Sequence, residues 1–406
     1  RPAVSTAITN GGFDTDLTSW ADADSIGATS EWATGGYLKL TGTDFLPAVR
    51  TQTVTVAGGD QGVEHGLRLV VARGRVKLRV GSTSGGDEYF NEAILDEGTH
   101  SLAFTPTGAS VYLSLSCHTR NPCLVDSISI EAAGVMTLPT PWDEDAIPKI
   151  NWTQSGDVVF VACVDVQQRR IERRSARSWS IVKYLADDGP FMVVNTNEIT
   201  ITPSALSGEI TLTASRPLFR SGNVGGMYAI TSSGQKVEET FTGEEQYSEP
   251  IKVTGSGSVR DVVYNGSGIT GVSRVSIQRS LAEPGAWTTI SLYANGTDYT
   301  FNDGLSNQIA YYRIGVETGN YEAGDSIVTS LTYTTGGFDG VARVTGYTSQ
   351  TVVSADVLSP FGGVSASLLW KESLWSDRRG WPSAVALYGG RLWWAGKDHI
   401  DGSVSD

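Results

Sequence analysis

Val76-Lys77-Leu78-Arg79-Val80-Gly81 alternates apolar and charged side chains with a two-residue period, and that alternation decides the fold class. On a strand, Val76, Leu78 and Val80 share one face while Lys77 and Arg79 share the other, so one face belongs in a core. The same period recurs outward from this segment, in Leu102 with Phe104, in Val111 with Leu113 and Leu115, and in Ile128 with Ile130. Turn signals at Gly35-Gly36, Gly58-Gly59, Gly85-Gly86 and Glu97-Gly98 separate the runs. Helical periodicity is almost absent. The expectation for Asn10 to Glu131 is therefore a two-sheet jelly roll rather than βαβ units.

Composition points the same way. The chain has 406 residues, of which 47 are glycine, and charged residues make up only 18%, below the usual quarter. At about 150 residues per domain, this length holds several domains with cores of their own. The formal net charge of −14 repels phosphate and there is no lysine-rich run, which argues against tight or sequence-reading contact with nucleic acid. An acidic wall past which DNA slides remains compatible with it. The best apolar run, Val158 to Val166, is broken by Asp165 and reads as a buried strand rather than a membrane span. Three cysteines, Cys117, Cys123 and Cys163, make no disulfide framework. Cys117 and Cys123 flank a short loop and could pair, but free thiols are the simpler reading.

Four regions follow from the punctuation. Residues 1–134 form the jelly roll, and Thr137-Leu138-Pro139-Thr140-Pro141-Trp142 reads as an extended linker. Residues 135–249 hold a strand pair within Ile150 to Val166, an arginine run from Arg169 to Arg177, a strand from Trp179 to Leu185, and the turn Asp187-Asp188-Gly189-Pro190. Residues 250–335, with Ala294-Asn295-Gly296-Thr297 as a hairpin signal, fit a small immunoglobulin-like or fibronectin-III-like sandwich. Residues 336–406 carry Trp370, Trp375, Trp381, Trp393 and Trp394, a density of indole that demands a large apolar partner surface. This last region reads as the incomplete start of a further body. The fold class expected for the whole chain is all-β, with several β-sandwich domains.

Catalytic signals are weak. His65, His100, His118 and His399 are scattered, and no zinc-binding spacing, nucleophile elbow or phosphate-cradling loop occurs. Cys117-His118 with Cys123 lacks a fourth metal ligand. No carboxylate pair is marked for acid–base work, and the chain reads as a non-enzyme. In the arginine run, Arg170, Glu172 and Arg174 share one strand face while Arg169, Ile171 and Arg173 share the other, so no single face carries the full charge. Solvated edge residues and ion pairs between subunits suit it better than a DNA site.

Asn10-Gly11-Gly12-Phe13-Asp14, Leu17 to Trp20, Glu31-Trp32, Gly36-Tyr37-Leu38 and the closing Val125-Asp126-Ser127-Ile128-Ser129-Ile130 resemble the carbohydrate-binding, galactose-binding-like jelly-roll modules. The resemblance implies a structural calcium held through Asp14 and Asp126, and sugar stacking on aromatic faces, for which Trp20, Trp32, Tyr37 and Tyr89 are the candidates.

Asn151-Trp152-Thr153-Gln154-Ser155-Gly156-Asp157-Val158-Val159-Phe160, Ser178-Trp179-Ser180-Ile181 and Asp188-Gly189-Pro190-Phe191 resemble the tail nozzle proteins of short-tailed phages, the tail tubular proteins B. Ala310 to Val316, Gly340 to Val344, Trp375-Ser376 and Gly380-Trp381-Pro382 through Trp393-Trp394-Ala395-Gly396 extend that resemblance over 135–406. It implies a virion component assembled in the host cytoplasm, its sandwiches attached to part of a propeller-like nozzle platform. It further implies a homohexameric ring below portal and adaptor that lets the genome out and carries tail fibres or spikes, with no catalytic residue and no resident cofactor. Arg169, Arg173, Arg177, Trp393 and Trp394 are then the candidates for an assembly interface, and the jelly roll for contact with host-surface glycan. The rival reading is a multi-domain glycan-binding adhesin, or an accessory module of a polysaccharide-degrading system.

Overall fold

The computed structural model describes residues 1–255, 257–281, 284–294 and 299–403. They contain thirty strands, three single-turn 3-10 segments and no α-helix, so the all-β expectation holds. The chain divides into two compact units, residues 1–186 with 375–406, and residues 187–374.

The first unit begins with a two-sheet sandwich. Its ten strands are β1 (Ala21–Asp22), β2 (Thr29–Ala33), β3 (Tyr37–Thr41), β4 (Ala48–Thr55), β5 (His65–Arg73), β6 (Val76–Gly81), β7 (Phe90–Leu95), β8 (Gly98–Phe104), β9 (Ser110–Cys117) and β10 (Cys123–Ile130). One sheet runs β1-β4-β9-β6-β7. The other contains β8-β5-β10-β3-β2. The alternation in β6 works as expected, because Val76, Leu78 and Val80 are fully buried and pack with Leu113, Leu115, Leu69 and Val125 in one core. All three cysteines are buried free thiols.

The second sheet does not stop at β8. Strands β11 (Asn151–Ser155), β12 (Val158–Cys163), β13 (Val166–Ser175) and β14 (Ser178–Lys183) continue it as a meander, giving the order β11-β12-β13-β14-β8-β5-β10-β3-β2. The junction pairs Trp179 with Ser101, Ser180 with His100, Ile181 with Thr99 and Val182 with Gly98. Gly98 makes this close approach possible. A Cβ there would lie 2.2 Å from the Ile181 carbonyl oxygen, and its φ of +153° disfavours any other residue. Gly98→Ala is therefore expected to cost about 3 kcal/mol by forcing β14 off β8, a loss readable as a lower urea midpoint of the first unit. A midpoint within error of the unaltered chain would show that the junction tolerates a side chain there.

In the second unit the strands are β15 (Ile201–Pro203), β16 (Glu209–Ala214), β17 (Met227–Phe241), β18 (Gln246–Tyr247), β19 (Ile251–Val253), β20 (Asp261–Ser267), β21 (Val275–Leu281), β22 (Thr288–Tyr293), β23 (Tyr299–Asn302), β24 (Ala310–Val316), β25 (Ile327–Ser349), β26 (Val352–Ser359) and β27 (Trp370–Glu372). The long strands β17 and β25 pair along their length and serve two cores. Val237, Phe241, Ile327 and Leu331 face a sandwich core with Ile277, Tyr312 and Ile314, whereas Tyr228, Ile230, Ala342 and Val344 face a second core with Leu212, Val353 and Trp370. The handover falls at Gly234, whose φ of +71° absorbs the register shift between Ser233 and Gln235. The hairpin signal at Asn295, Gly296 and Thr297 lies outside the described residues. Its flanking strands do not pair with each other, since β22 pairs with β21 and β23 with β20.

The last three strands, β28 (Ala384–Tyr388), β29 (Arg391–Gly396) and β30 (His399–Gly402), form an antiparallel meander that belongs to the first unit.

Candidate functional site

The glycan candidates do not converge on one surface. Trp20 is 3% exposed; its ring packs 5.5 Å from that of Phe13 and its Nε1 donates to the Asn10 carbonyl at 3.1 Å, so it is core rather than a sugar platform. Trp32 is half-exposed on the edge strand β2, and its Nε1 donates to the Phe13 carbonyl at 2.8 Å. Opposite Trp32 on β3 stands the buried Leu38, whereas Tyr37 stands opposite Ala33. The two aromatics therefore lie on opposite faces of the sheet. Tyr37 lies against the backbone of Gly35, where a Cβ would meet its ring at 2.7 Å. Tyr89 sits by the other sheet, packed on the core, and its hydroxyl accepts the Gly108 N–H at 3.2 Å.

Nor do the calcium candidates assemble a ligand set. Asp14 is exposed, and Asp126 accepts a hydrogen bond from the Ser127 hydroxyl at 3.0 Å. The nearby oxygens converge on an amide instead: Asn10 Nδ2 donates toward Asp16 Oδ1 at 2.9 Å, the Asp16 carbonyl at 3.1 Å and the Thr18 carbonyl at 3.0 Å. Among the described residues no group of three or more His, Cys, Asp or Glu is placed to hold a metal ion.

The arginine run is β13, with the face alternation read from sequence, and its charges are met within the same unit. Arg170 pairs with Asp96, which also takes Arg75 at 2.9 Å, while Arg170 and Arg174 both reach Glu172, at 3.3 and 3.0 Å. Arg174 also donates to the Ile94 carbonyl at 3.3 Å. Arg177 pairs with Glu64 at 2.7 Å, and Glu64 is shared with Arg1 at 3.4 Å. Arg173 makes a surface pair with Asp157 at 3.2 Å. Arg169 turns back on its own strand, donating to the Gln167 and Gln168 carbonyls at 3.0 and 3.3 Å, and burial pushes its pKa down. Asp96 and Glu64, which pair with Arg170 and Arg177, escaped the sequence reading because they lie far from the run in the chain.

The five tryptophans split by unit. Trp370 is core of residues 187–374, its Nε1 donating to the Ile199 carbonyl at 2.8 Å. Trp375, Trp381 and Trp394 are each about 6% exposed in the first unit, which corrects the expectation that the cluster as a whole covers a partner. Trp394 packs with Val385, Leu392 and Ala162, with its ring 4.9 Å from that of Tyr184 and Phe160 beyond. Trp393 points to the other face of β29, lying flat over Gly402, with its Nε1 donating to the Tyr388 carbonyl at 2.9 Å. That outer face aligns Ala384, Ala395 and Ile400 in one row and Ala386, Trp393 and Gly402 in the next. Tyr388 and Ile400 on it are 79% and 70% exposed. The meander thus carries apolar side chains on both faces, with Arg391 opposite Tyr388 on the outer one and Asp401 opposite Trp394 on the inner one.

No protein-family model and no curated protein matches the chain. Among solved structures, similarity is found to the N-terminal tandem CBM22 domain of Xyn10C from Paenibacillus barcinonensis, at 14% identity over 92% of this chain and 99% of that one, with a TM-score of 0.23. Similarity is also found to the coconut allergen cocosin, at 11% identity over 81% and 89% of the two chains and a TM-score of 0.13. Scores this low carry no argument about fold or function.

Proposed function

We propose that this chain is a structural subunit of a phage tail nozzle. In this reading it forms a homohexameric ring beneath portal and adaptor proteins, through which the genome passes and to which fibres or spikes attach. The observation that carries the reading is how the nozzle-like stretches pack. Asn151 to Phe160 and Gly380 to Gly396 lie more than 200 residues apart, yet Asn151 Oδ1 accepts the Val385 N–H at 2.8 Å and Ala162, Val385, Leu392 and Trp394 share one small core. The resulting meander keeps a second apolar face, with Trp393 and Ile400, for a neighbouring layer. An acidic chain in which Arg170, Arg173, Arg174 and Arg177 are paired with carboxylates suits a channel wall that leaves DNA mobile. The jelly roll, in which Trp20 is core and Trp32 and Tyr37 face opposite ways, gives the glycan-binding alternative the weaker support.

Electron cryomicroscopy of particles from the source culture tests the proposal. Sixfold density for this chain below the portal vertex is expected. Absence of the chain from purified particles would sink the reading and make glycan-array binding of the full chain the next measurement.

A further inference from the structure

His100 sits where β14 joins the jelly roll. It is fully buried, with Leu69 of β5 on one side and Ser180 of β14 on the other. Its Nε2 lies 2.8 Å from the Asp96 carbonyl oxygen, which can only accept, so Nε2 carries the proton. Its Nδ1 lies 2.8 Å from Ser180 Oγ and therefore accepts the serine hydroxyl. The imidazole is complete in its neutral form; a second proton on Nδ1 would turn the Ser180 hydroxyl from donor to acceptor, and among the described residues that buried hydroxyl has no other acceptor to turn to.

The surrounding charges act in both directions. β13 presents Arg170, Glu172 and Arg174, the turn before β8 presents Asp96, and Arg75 reaches Asp96 from the turn after β5. On β5 the opposing residue is the uncharged Leu69. Lys183 of β14 pairs with Glu97 at the same junction; Arg174 disfavours an imidazolium, whereas Asp96 favours one through its charge and its carbonyl. Burial is the main cause that pushes His100 from 6.5 down to about 4, with Arg174 adding to it.

We propose that the β8–β14 junction is an acid-released latch: protonation of His100 frees the strands β11–β14 from the edge of the jelly roll. The sign follows from linkage. The closed form requires neutral His100, so the closed-to-open ratio is at its full value above about pH 6.5 and falls as pH drops through 6.5 toward 4. Between pH 7 and 5 the fall is roughly twentyfold, in a range where ordinary carboxylates stay ionised.

Hydrogen–deuterium exchange on the full chain tests this. After correction for intrinsic exchange rates, the ladder amides of residues 98–101 and 179–182 are expected to lose protection about twentyfold from pH 7 to 5. The β4–β9 ladder on the other sheet should keep its own. In His100→Gln, whose neutral amide can donate to Asp96 and accept from Ser180, the loss should vanish. Equal loss in both chains would assign the opening to other groups and overturn the latch, as would no loss in the unaltered chain. Should His100→Gln fail to fold, the His100 Cε1 proton of the unaltered chain decides by NMR titration. A midpoint below 5 supports the latch, and one near 6.5 refutes it.

Discussion

Asp303→Ala is expected to destabilise residues 187–374 by about 3–5 kcal/mol, the largest loss among single changes in that unit. Arg260 is 0% exposed and Asp303 2%, and the guanidinium meets both carboxylate oxygens at 2.6 Å. The remaining Arg260 proton donors reach the Gln308 and Gly255 carbonyls at 2.8 and 3.3 Å. The Tyr312 hydroxyl and the Leu305 N–H, the latter at 3.0 Å, complete the carboxylate's shell. Burial alone would raise the Asp303 pKa, but the bonds from Arg260, Tyr312 and Leu305 prevail and hold it down at about 2. Removing the carboxylate strands a guanidinium in the core, and that uncompensated charge, more than the lost attraction, sets the cost. Equilibrium unfolding in urea should show a lower midpoint for this unit and an unchanged one for the other. The double variant Arg260→Met with Asp303→Leu should recover part of the loss, because it leaves no buried charge, although the Tyr312 hydroxyl, the Leu305 N–H and the Gln308 and Gly255 carbonyls lose these partners. A single-variant cost below 1 kcal/mol would mean that the pair is hydrated.

The second large effect separates two neighbouring tryptophans. Trp394→Ala should cost about 3–5 kcal/mol by opening a cavity against Tyr184, Val385 and Leu392. Trp394→Phe should cost far less, because the indole Nε1 is buried with no hydrogen-bond partner among the described residues and its loss forfeits no bond. Trp393→Ala lies on the outer face and should leave the melting temperature of the isolated chain nearly unchanged while reducing incorporation into particles. Thermal melts paired with an incorporation assay read both. If Trp393→Ala melted as low as Trp394→Ala, the outer face would be part of the chain's own core.

Much of the fold was legible because strand faces are written at a two-residue period. β6, β8, β9 and β10 follow the alternation of Val76, Leu102, Val111 and Ile128, and β13 sorts its arginines as the period requires. The candidate site was less legible. Aromatic residue type does not separate a core indole such as Trp20 from the half-exposed Trp32, and proximity in sequence grouped five tryptophans of which Trp370 lies in one core, Trp394 in another and Trp393 on an outer face. The turn signal at Ala294 to Thr297 suggested a hairpin, yet its flanking strands pair in different sheets.

The sequence by itself determined the all-β class, the jelly roll, the sandwich around Ile277 and Tyr312, and the absence of a catalytic signature. Only the tertiary structure decided that β14 extends the jelly-roll sheet, that Asp96 and Glu64 are the partners of the arginine run, that His100 is sealed at that junction, and that Trp394 is core while Trp393 is not. The division has a physical cause. Side-chain alternation is a property of chain neighbours and survives in any context, whereas sheet edges join through backbone N–H and C=O groups that are the same at nearly every residue. Which edge meets which is settled by the packing of surfaces distant in sequence.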